Sequence, residues 1–345
     1  MSTLADRVLA GDPRAIARGI SLIEDEDPAG AELMRAIFGR TGGAYLIGVT
    51  GPPGAGKSTL VDRLVAAIRT PAPERAPGDA SPPPRTSNPS SSSAPENAAS
   101  APSVGVIAVD PTSPFTGGAV LGDRLRMQAH AADEGVFIRS MATRGHLGGL
   151  ARATGDAALL LDAAGKQIVV IETVGVGQDE VDIVRTADMA IVTLVPGTGD
   201  EVQALKAGIM EIADIFVVNK ADREGADRLV SAVEANLGLQ TYGAAEWRPP
   251  IVKTIATTGQ GMPELVEAIR QFRAHSDRTR AIRRRSRSEY RLRELVSQQF
   301  MDHLERRVLR PGELNAIVDR IAGRELDPYT AARALVARTI GDNEI

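Results

Sequence analysis

Six short apolar runs punctuate the chain, at 45–50, 104–109, 167–171, 189–195, 214–218 and 250–255. Each is too short for a helix and lacks the alternation of a strand wetted on one side, so each predicts a strand buried on both faces. Helical periodicity fills most of the intervals between them. Strands alternating with helices predict an α/β fold with a mainly parallel central sheet flanked by helices. Ligands of such sheets bind beyond the C-terminal ends of the strands, so the residues that follow each run are where chemistry is expected.

The flanks read differently. From Ala5 to Ile23 and from Ala29 to Phe38 the pattern is helical, with Asp12-Pro13 as a cap and first-turn pair, which predicts a helical extension over 1–43. The α/β domain then spans 44–274, interrupted at 71–103 by a Pro, Ser and Ala-rich stretch that includes Ser81-Pro82-Pro83-Pro84 and Ser90-Ser91-Ser92-Ser93. That stretch has almost no apolar mass to offset the entropy of ordering, so it reads as a disordered and dispensable surface insertion, with partner docking or modification as the alternative. Residues 275–345 form a helical arm. An arginine-dense run leads through Arg293 into Leu292, Leu295, Val296, Gln299, Phe300 and Leu304 at helical intervals, and Asp327-Pro328 caps a further helix from Tyr329 to Arg338. An arm with one apolar side suits self-association and equally a subdomain folded on its own core. Its arginines read as a solvated face.

Composition narrows the class. The 345 residues carry a formal charge of −4 with a pI near 5.7, which gives no basic field for nucleic acid or an anionic membrane. Cysteine is absent, so there are no disulfides and no thiolate metal sites. No apolar run approaches membrane-spanning length, and the N-terminus, with Asp6 and Asp12, lacks the basic flank and apolar core of a signal peptide. A soluble, cytoplasmic protein is expected. The lysines are Lys57, Lys166, Lys206, Lys220 and Lys253, the other basic residues being arginine. Lysines should survive in such a chain where a compact, rotatable ammonium does something that a planar guanidinium cannot.

The first run delivers the strongest motif. Gly51-Pro52-Pro53-Gly54-Ala55-Gly56-Lys57-Ser58 fills G-x-x-x-x-G-K-[ST] and leads through Thr59 into a helix marked by Leu60, Leu64 and Ile68. Backbone N–H groups of such a loop wrap a pyrophosphate at the helix N-terminus, with Lys57 reaching the β- and γ-phosphates and Ser58 a Mg²⁺ ion. The run at 214–218 delivers Asn219-Lys220-Ala221-Asp222, the N-K-x-D arrangement by which GTPases recognise guanine. Asp222 can accept hydrogen bonds from guanine's ring N–H and exocyclic amine, a donor pair that adenine lacks. A buried carboxylate left without donors is costly, so a site of this kind rejects the wrong base by roughly 10⁴-fold. GTP is expected over ATP.

Two further strand ends supply carboxylates. Asp110 precedes Pro111-Thr112-Ser113, and Glu172-Thr173-Val174-Gly175 stands where many GTPases have D-x-x-G. There the Gly175 N–H would sense the γ-phosphate while Glu172 orients Mg²⁺ through water. No Gln sits immediately after Gly175, so slow intrinsic turnover is expected.

With these residues in view, the chain resembles the MeaB/ArgK family of P-loop GTPases, the chaperones of adenosylcobalamin-dependent methylmalonyl-CoA mutase. The resemblance rests on the phosphate loop, Val109-Asp110-Pro111-Thr112-Ser113, Thr116-Gly117-Gly118-Ala119-Val120-Leu121-Gly122-Asp123-Arg124, His146-Leu147-Gly148-Gly149-Leu150-Ala151, Glu172-Thr173-Val174-Gly175-Val176-Gly177-Gln178 and Val195-Pro196-Gly197. It implies a GTP/GDP-binding enzyme that gates cofactor loading into an acyl-CoA mutase, slow alone, stimulated by that partner, and dimeric through its C-terminal arm. It also implies that Asp110, Asp123 and Glu172 surround Mg²⁺, that Pro196 to Lys206 form a partner-sensing switch, and that Lys206 is the lysine brought toward the nucleotide. Where relatives often have T-S-A, this chain has Ile255 in place of the serine, which leaves the base contact to the Ala256 backbone N–H.

Two other readings compete. A phosphotransferase acting on a small molecule or protein would use the same phosphate loop, although Asp222 speaks against ATP as donor. A nickel or cobalt metallochaperone GTPase would carry Cys or His clusters, whereas His130, His146, His275 and His303 are scattered.

Overall fold

In a computed structural model of the chain, residues 2–70, 101–110, 128–130, 132–142, 149–173, 186–197, 209–243 and 245–341 are described. They divide into two compact units, Met1–Arg280 and Ala281–Ile345.

The first unit is built on a seven-stranded sheet: β1 (Tyr45–Thr50), β2 (Val104–Asp110), β3 (Val136–Ala142), β4 (Ile168–Glu172), β5 (Met189–Leu194), β6 (Ile215–Asn219) and β7 (Ile251–Thr254). The spatial order is β3-β2-β4-β1-β5-β6-β7 and every pairing is parallel. Six of these are the apolar runs of the sequence. The seventh, Val-Phe-Ile-Arg-Ser-Met-Ala at the β3 edge, escaped the apolar pattern because Arg139 interrupts it. Arg139 is held there from outside the sheet: its guanidinium donates to Ser21 Oγ at 3.1 Å and to the Glu24 carboxylate.

Among the described residues of this unit the α-helices are α1 (Leu4–Leu9), α2 (Pro13–Glu24), α3 (Pro28–Ile37), α4 (Lys57–Arg69), α5 (Gly149–Ala163), the single turn α6 (Ile209–Ile212), α7 (Ala226–Leu237) and α8 (Met262–Ser276). Alternate strand residues face opposite layers. On one face, Leu46, Ile107, Val109, Val169 and Ile171 pack with Ile16, Ile20, Leu33 and Ile37 of α2 and α3 and with Leu160 and Leu161 of α5. Farther along the sheet, Val192, Leu194, Phe216 and Val218 meet Leu229 and Val233 of α7. On the opposite face, Ile47, Val49, Val106, Val170, Ile191 and Val217 meet Leu60, Leu64 and Val65 of α4 and Leu265 and Phe272 of α8. The N-terminal helices therefore share a core with the sheet.

Local chemistry starts these helices where expected. Asp12 accepts from the Arg14 and Ala15 N–H groups at 2.8 and 3.3 Å, with Pro13 in the first turn of α2. Asp27 repeats the arrangement for α3, accepting from the Ala29 N–H at 2.9 Å. Where α3 hands over to β1, the buried Asp162 carboxylate takes the N–H groups of Gly42, Gly43 and Ala44. Residues 71–100 lie outside the described residues, but their flanks meet: Arg69 at the end of α4 donates to Ala101 O at 2.6 Å and Pro102 O at 3.0 Å.

The second unit continues α9 (Arg280–His303) through a π-helical turn at Leu304–Val308 into α10 (Glu313–Ala322) and α11 (Pro328–Gly341). Asp327 accepts from the Thr330 N–H at 2.9 Å and so caps α11. Arg338 joins the elements by donating to Glu313 at 2.6 Å and to Val308 O at 2.8 Å, over a small core of Leu304, Val308 and Ala331. Ile282, Leu292 and Val296 on α9 are each more than half exposed. Among the described residues no helix is long and apolar enough to cross a membrane.

Candidate nucleotide site

Strands β2, β4, β1, β5, β6 and β7 are neighbours, and those residues predicted to act that are described lie at or after their C-terminal ends. The centre is the turn from β1 into α4. Gly51 leaves the strand at φ 140°, where a Cβ atom would lie 2.0 Å from Thr193 O on β5, so only glycine lets the loop start here. Gly56 takes the N-cap of α4 at φ 83° with no side-chain cap bond, and a Cβ there would meet Asn219 Nδ2 at 2.6 Å. A helix N-terminus without a side-chain cap keeps N–H groups and a partial positive charge for an anion.

Lys57 is 6% exposed and turns back along the loop, donating to Gly51 O at 2.7 Å and Pro52 O at 3.1 Å. A phosphate offers the same ammonium a charged acceptor, and charge-assisted bonds are about twice as strong as bonds to neutral carbonyls. Ser58 Oγ donates to Glu172 Oε1 at 2.6 Å, and Glu172 is 4% exposed at the end of β4. The next residue, Thr173, donates its hydroxyl to Thr50 Oγ1 at 3.0 Å and its N–H to Val49 O at 3.0 Å, fixing the path of the chain that leaves β4. A serine hydroxyl beside a carboxylate is a hard-oxygen set of the kind that suits Mg²⁺, an ion that keeps waters and takes its other ligands from substrate phosphates.

The base side is organised by Asn219. Its Nδ2 donates to Ala55 O at 2.8 Å, and its Oδ1 accepts from Thr254 Oγ1 and from the Ala256 N–H, both at 3.1 Å. One buried side chain thus ties the phosphate loop to the segment after β7. The Ala256 N–H, assigned to the base from sequence, is spent on Asn219 in this state. Lys220 adopts φ 56° and donates Nζ to Gly54 O at 2.7 Å, laying its stem along the loop. A non-glycine residue in that region costs on the order of 1–2 kcal/mol, and such strain concentrates at functional sites. Asp222 is exposed and makes no hydrogen bond or ion pair among the described residues.

Of the residues singled out in the sequence, the structure gathers Gly51, Pro52, Pro53, Gly54, Ala55, Gly56, Lys57, Ser58 and Thr59 in the β1–α4 turn. Glu172 and Asn219 close β4 and β6, and Lys220, Asp222 and Ala256 follow β6 and β7 along the same edge. Asp110 closes β2. Asp123, Gly175 and Lys206 lie outside the described residues. Sequence reasoning passed over Thr50, Thr173 and Thr254, whose hydroxyls brace the site, and Arg63, which donates to Thr257 O at 3.1 Å. A threonine placed where a buried strand ends was the available signal.

Comparison with known proteins supplies the family. Residues 16–74 and 96–308 match the family described as Methylmalonyl Co-A mutase-associated GTPase MeaB. A candidate GTPase of Pyrococcus abyssi is 46% identical over 342 residues, covering 98% of this chain and 96% of its own length. GTPase ArgK of Escherichia coli is 33% identical over 317 residues, covering 88% of this chain and 86% of its own. The mitochondrial methylmalonic aciduria type A homolog of Mus musculus is 30% identical over 282 residues, covering 77% of this chain and 61% of its own. Among solved structures, that of an LAO/AO transport system kinase superposes with a TM-score of 0.65 at 26% identity, covering 97% of this chain and 95% of that one. With a phosphate loop, an N-K-x-D segment tied to it, and this agreement along most of its length, the chain belongs to the MeaB family of methylmalonyl Co-A mutase-associated GTPases.

Proposed function

We propose that GTP binding and hydrolysis by this chain gate the delivery of adenosylcobalamin to an acyl-CoA mutase such as methylmalonyl-CoA mutase, and protect that enzyme once loaded. The observation that carries the reading is the Asn219 bridge between Ala55 and Ala256, which makes the phosphate side and the base side one unit able to respond to one nucleotide. Transfer of the γ-phosphoryl group to water depends mainly on positioning and charge neutralisation. Lys57 and the loop N–H groups hold the β- and γ-phosphates, and Asp222 reads guanine. Ser58, Asp110, Asp123 and Glu172 would hold Mg²⁺, directly or through water, and the ion supplies charge neutralisation on the phosphate oxygens. Gly175 responds to the γ-phosphate, and Lys206 accelerates hydrolysis when the partner brings it in.

A chaperone of this kind needs nucleotide states that differ in affinity for the partner. The apolar residues Ile282, Leu292 and Val296 left exposed on α9 support a homodimer formed through the arm. The net charge of −4 supports neither a nucleic-acid nor a membrane partner, and the absence of cysteine fits the cytoplasm. The test is GTP turnover with and without the cognate mutase, for the native chain and for Lys206→Ala. Stimulation of the native chain, blunted in the variant at unchanged basal rate, supports the reading; equal turnover with and without the mutase removes the coupling.

A further inference from the structure

Of the lysines that survive in this arginine-rich chain, Lys57 and Lys220 lie along the phosphate loop, whereas Lys166 stands just before β4, at the end of the sheet opposite the nucleotide site. Its backbone is pinned on both sides: the Lys166 N–H donates to Leu161 O at 3.1 Å where α5 ends, and the Gln167 N–H donates to Ser103 O at 3.0 Å. The side chain is partly buried and donates Nζ to Gly135 O at 3.2 Å, just before β3. Arg69 presses on the same glycine, where an added Cβ would lie 2.4 Å from its guanidinium carbon. Two cations thus meet at one backbone segment. Asp133 would be the natural counter-ion for Lys166, but both its oxygens are engaged. Arg69 Nε donates to Oδ2 at 2.8 Å and Nη2 to Oδ1 at 2.7 Å, and the Gly135 N–H donates to Oδ1 at 2.9 Å. Among the described residues no carboxylate forms an ion pair with Lys166.

We propose that Lys166 is a modification site, a lysine whose amine takes an acyl group from a thioester ahead of the more exposed Lys253. The Nζ lone pair attacks the thioester carbonyl, the C–N bond forms as the C–S bond breaks, and the proton lost by nitrogen ends on the departing thiol. The products are an amide and a free thiol. Only the neutral amine can attack, and the surroundings of Lys166 favour that form. Burial first, and then the charge of Arg69, pull its pKa below the ordinary lysine value of 10.5, while Asp133 pulls the other way. An arginine at this place would stay charged and could not be acylated, which gives a reason for the lysine. Lys253 makes the contrast: its side chain is 50% exposed, and its ammonium pairs with the Asp227 carboxylate. The choice of a thioester rests on the proposed mutase partner, whose substrate belongs to that class; the reactivity of the amine does not.

The test incubates the full chain with acetyl-CoA from neutral to alkaline pH, with Nα-acetyllysine in the same tube, and follows each lysine by peptide mass spectrometry. At neutral pH Lys166 should gain label at least about threefold faster than Lys253, because the gain in free amine outweighs the lower nucleophilicity that accompanies a lower pKa. Its labelling should reach half-maximum at lower pH than that of Nα-acetyllysine. Arg69→Leu removes the like charge and releases Asp133, so in that variant the half-maximum should move up in pH. Should Arg69→Leu fail to melt cooperatively, the native profile decides alone. Lys166 labelled no faster than Lys253, a half-maximum coinciding with that of Nα-acetyllysine, or one unmoved in folded Arg69→Leu overturns the proposal. GTP turnover unaffected by the mutase would sink the partner reading and leave the labelling result standing, so the two failures are distinct.

Discussion

Asn219 Nδ2 donates to the Ala55 carbonyl at 2.8 Å, which joins the last residue of β6 to the loop after β1 across the intervening strand β5. Asn219 is 2% exposed, and removing its amide strands Ala55 O and the Ala256 N–H away from water. Asn219→Ala should cost about 1–3 kcal/mol of folding stability and lower GTP and GDP affinity together by tenfold or more. Urea denaturation and calorimetric titration with GDP check both. Retained GDP affinity would show that the tie is structural only.

Gly56→Ala probes the N-cap of α4. A Cβ atom there meets Asn219 Nδ2 at 2.6 Å on a backbone at φ 83°, so the loop must shift or Asn219 must leave Ala55. A cost of roughly 1–3 kcal/mol, expressed as lost nucleotide binding in a chain that still melts cooperatively, is the expected result of a urea melt paired with fluorescent-GDP binding.

Ser58→Ala removes the hydroxyl that meets Glu172 Oε1 at 2.6 Å. GDP binding without magnesium should change little, because Lys57 and the loop N–H groups remain. The Mg²⁺ concentration needed for half-maximal GTP hydrolysis should rise several-fold. An unchanged magnesium titration would take Ser58 out of the ion's surroundings.

Tyr45 gives a pH prediction independent of the nucleotide. Burial pushes its phenol from the ordinary value of 10.0 up to about 12. Below pH 10 the phenol is neutral in folded and unfolded chains alike, so its contribution is fully present there. Between pH 10 and 12 the unfolded chain releases a proton that the folded chain keeps, and stability falls by about 1.4 kcal/mol per pH unit. Comparing Tyr45→Phe with the native chain cancels the other titrating groups. The native chain should lose stability relative to the variant above pH 10, and parallel curves would mean that the phenol is not buried in solution.

How much of this was legible in the sequence follows from what each residue depends on. The six apolar runs, the cap at Asp12 and the phosphate loop are local patterns, and the structure places each where the pattern does. Strand β3 was not legible, because Arg139 is acceptable there only through Ser21 and Glu24 of a helix more than a hundred residues earlier. The Asn219 tie to Ala55 was also invisible, since N-K-x-D says what reads the base and not which loop its Asn holds. For the same reason Ala256 looked available to guanine, while in the structure its N–H already has an acceptor. Lys166 carried no motif, and its place beside Arg69 at Gly135 appears only in the fold.

The most direct test of the central claim, that Asp222 selects guanine for a phosphate loop centred on Lys57, is equilibrium titration of the purified chain with GTP and with ATP at equal Mg²⁺, repeated on Asp222→Ala. The account predicts that the native chain favours GTP by about 10³–10⁴-fold and that the variant loses most of this preference. Comparable affinity for the two nucleotides in the native chain, or an undiminished preference in Asp222→Ala, would contradict it.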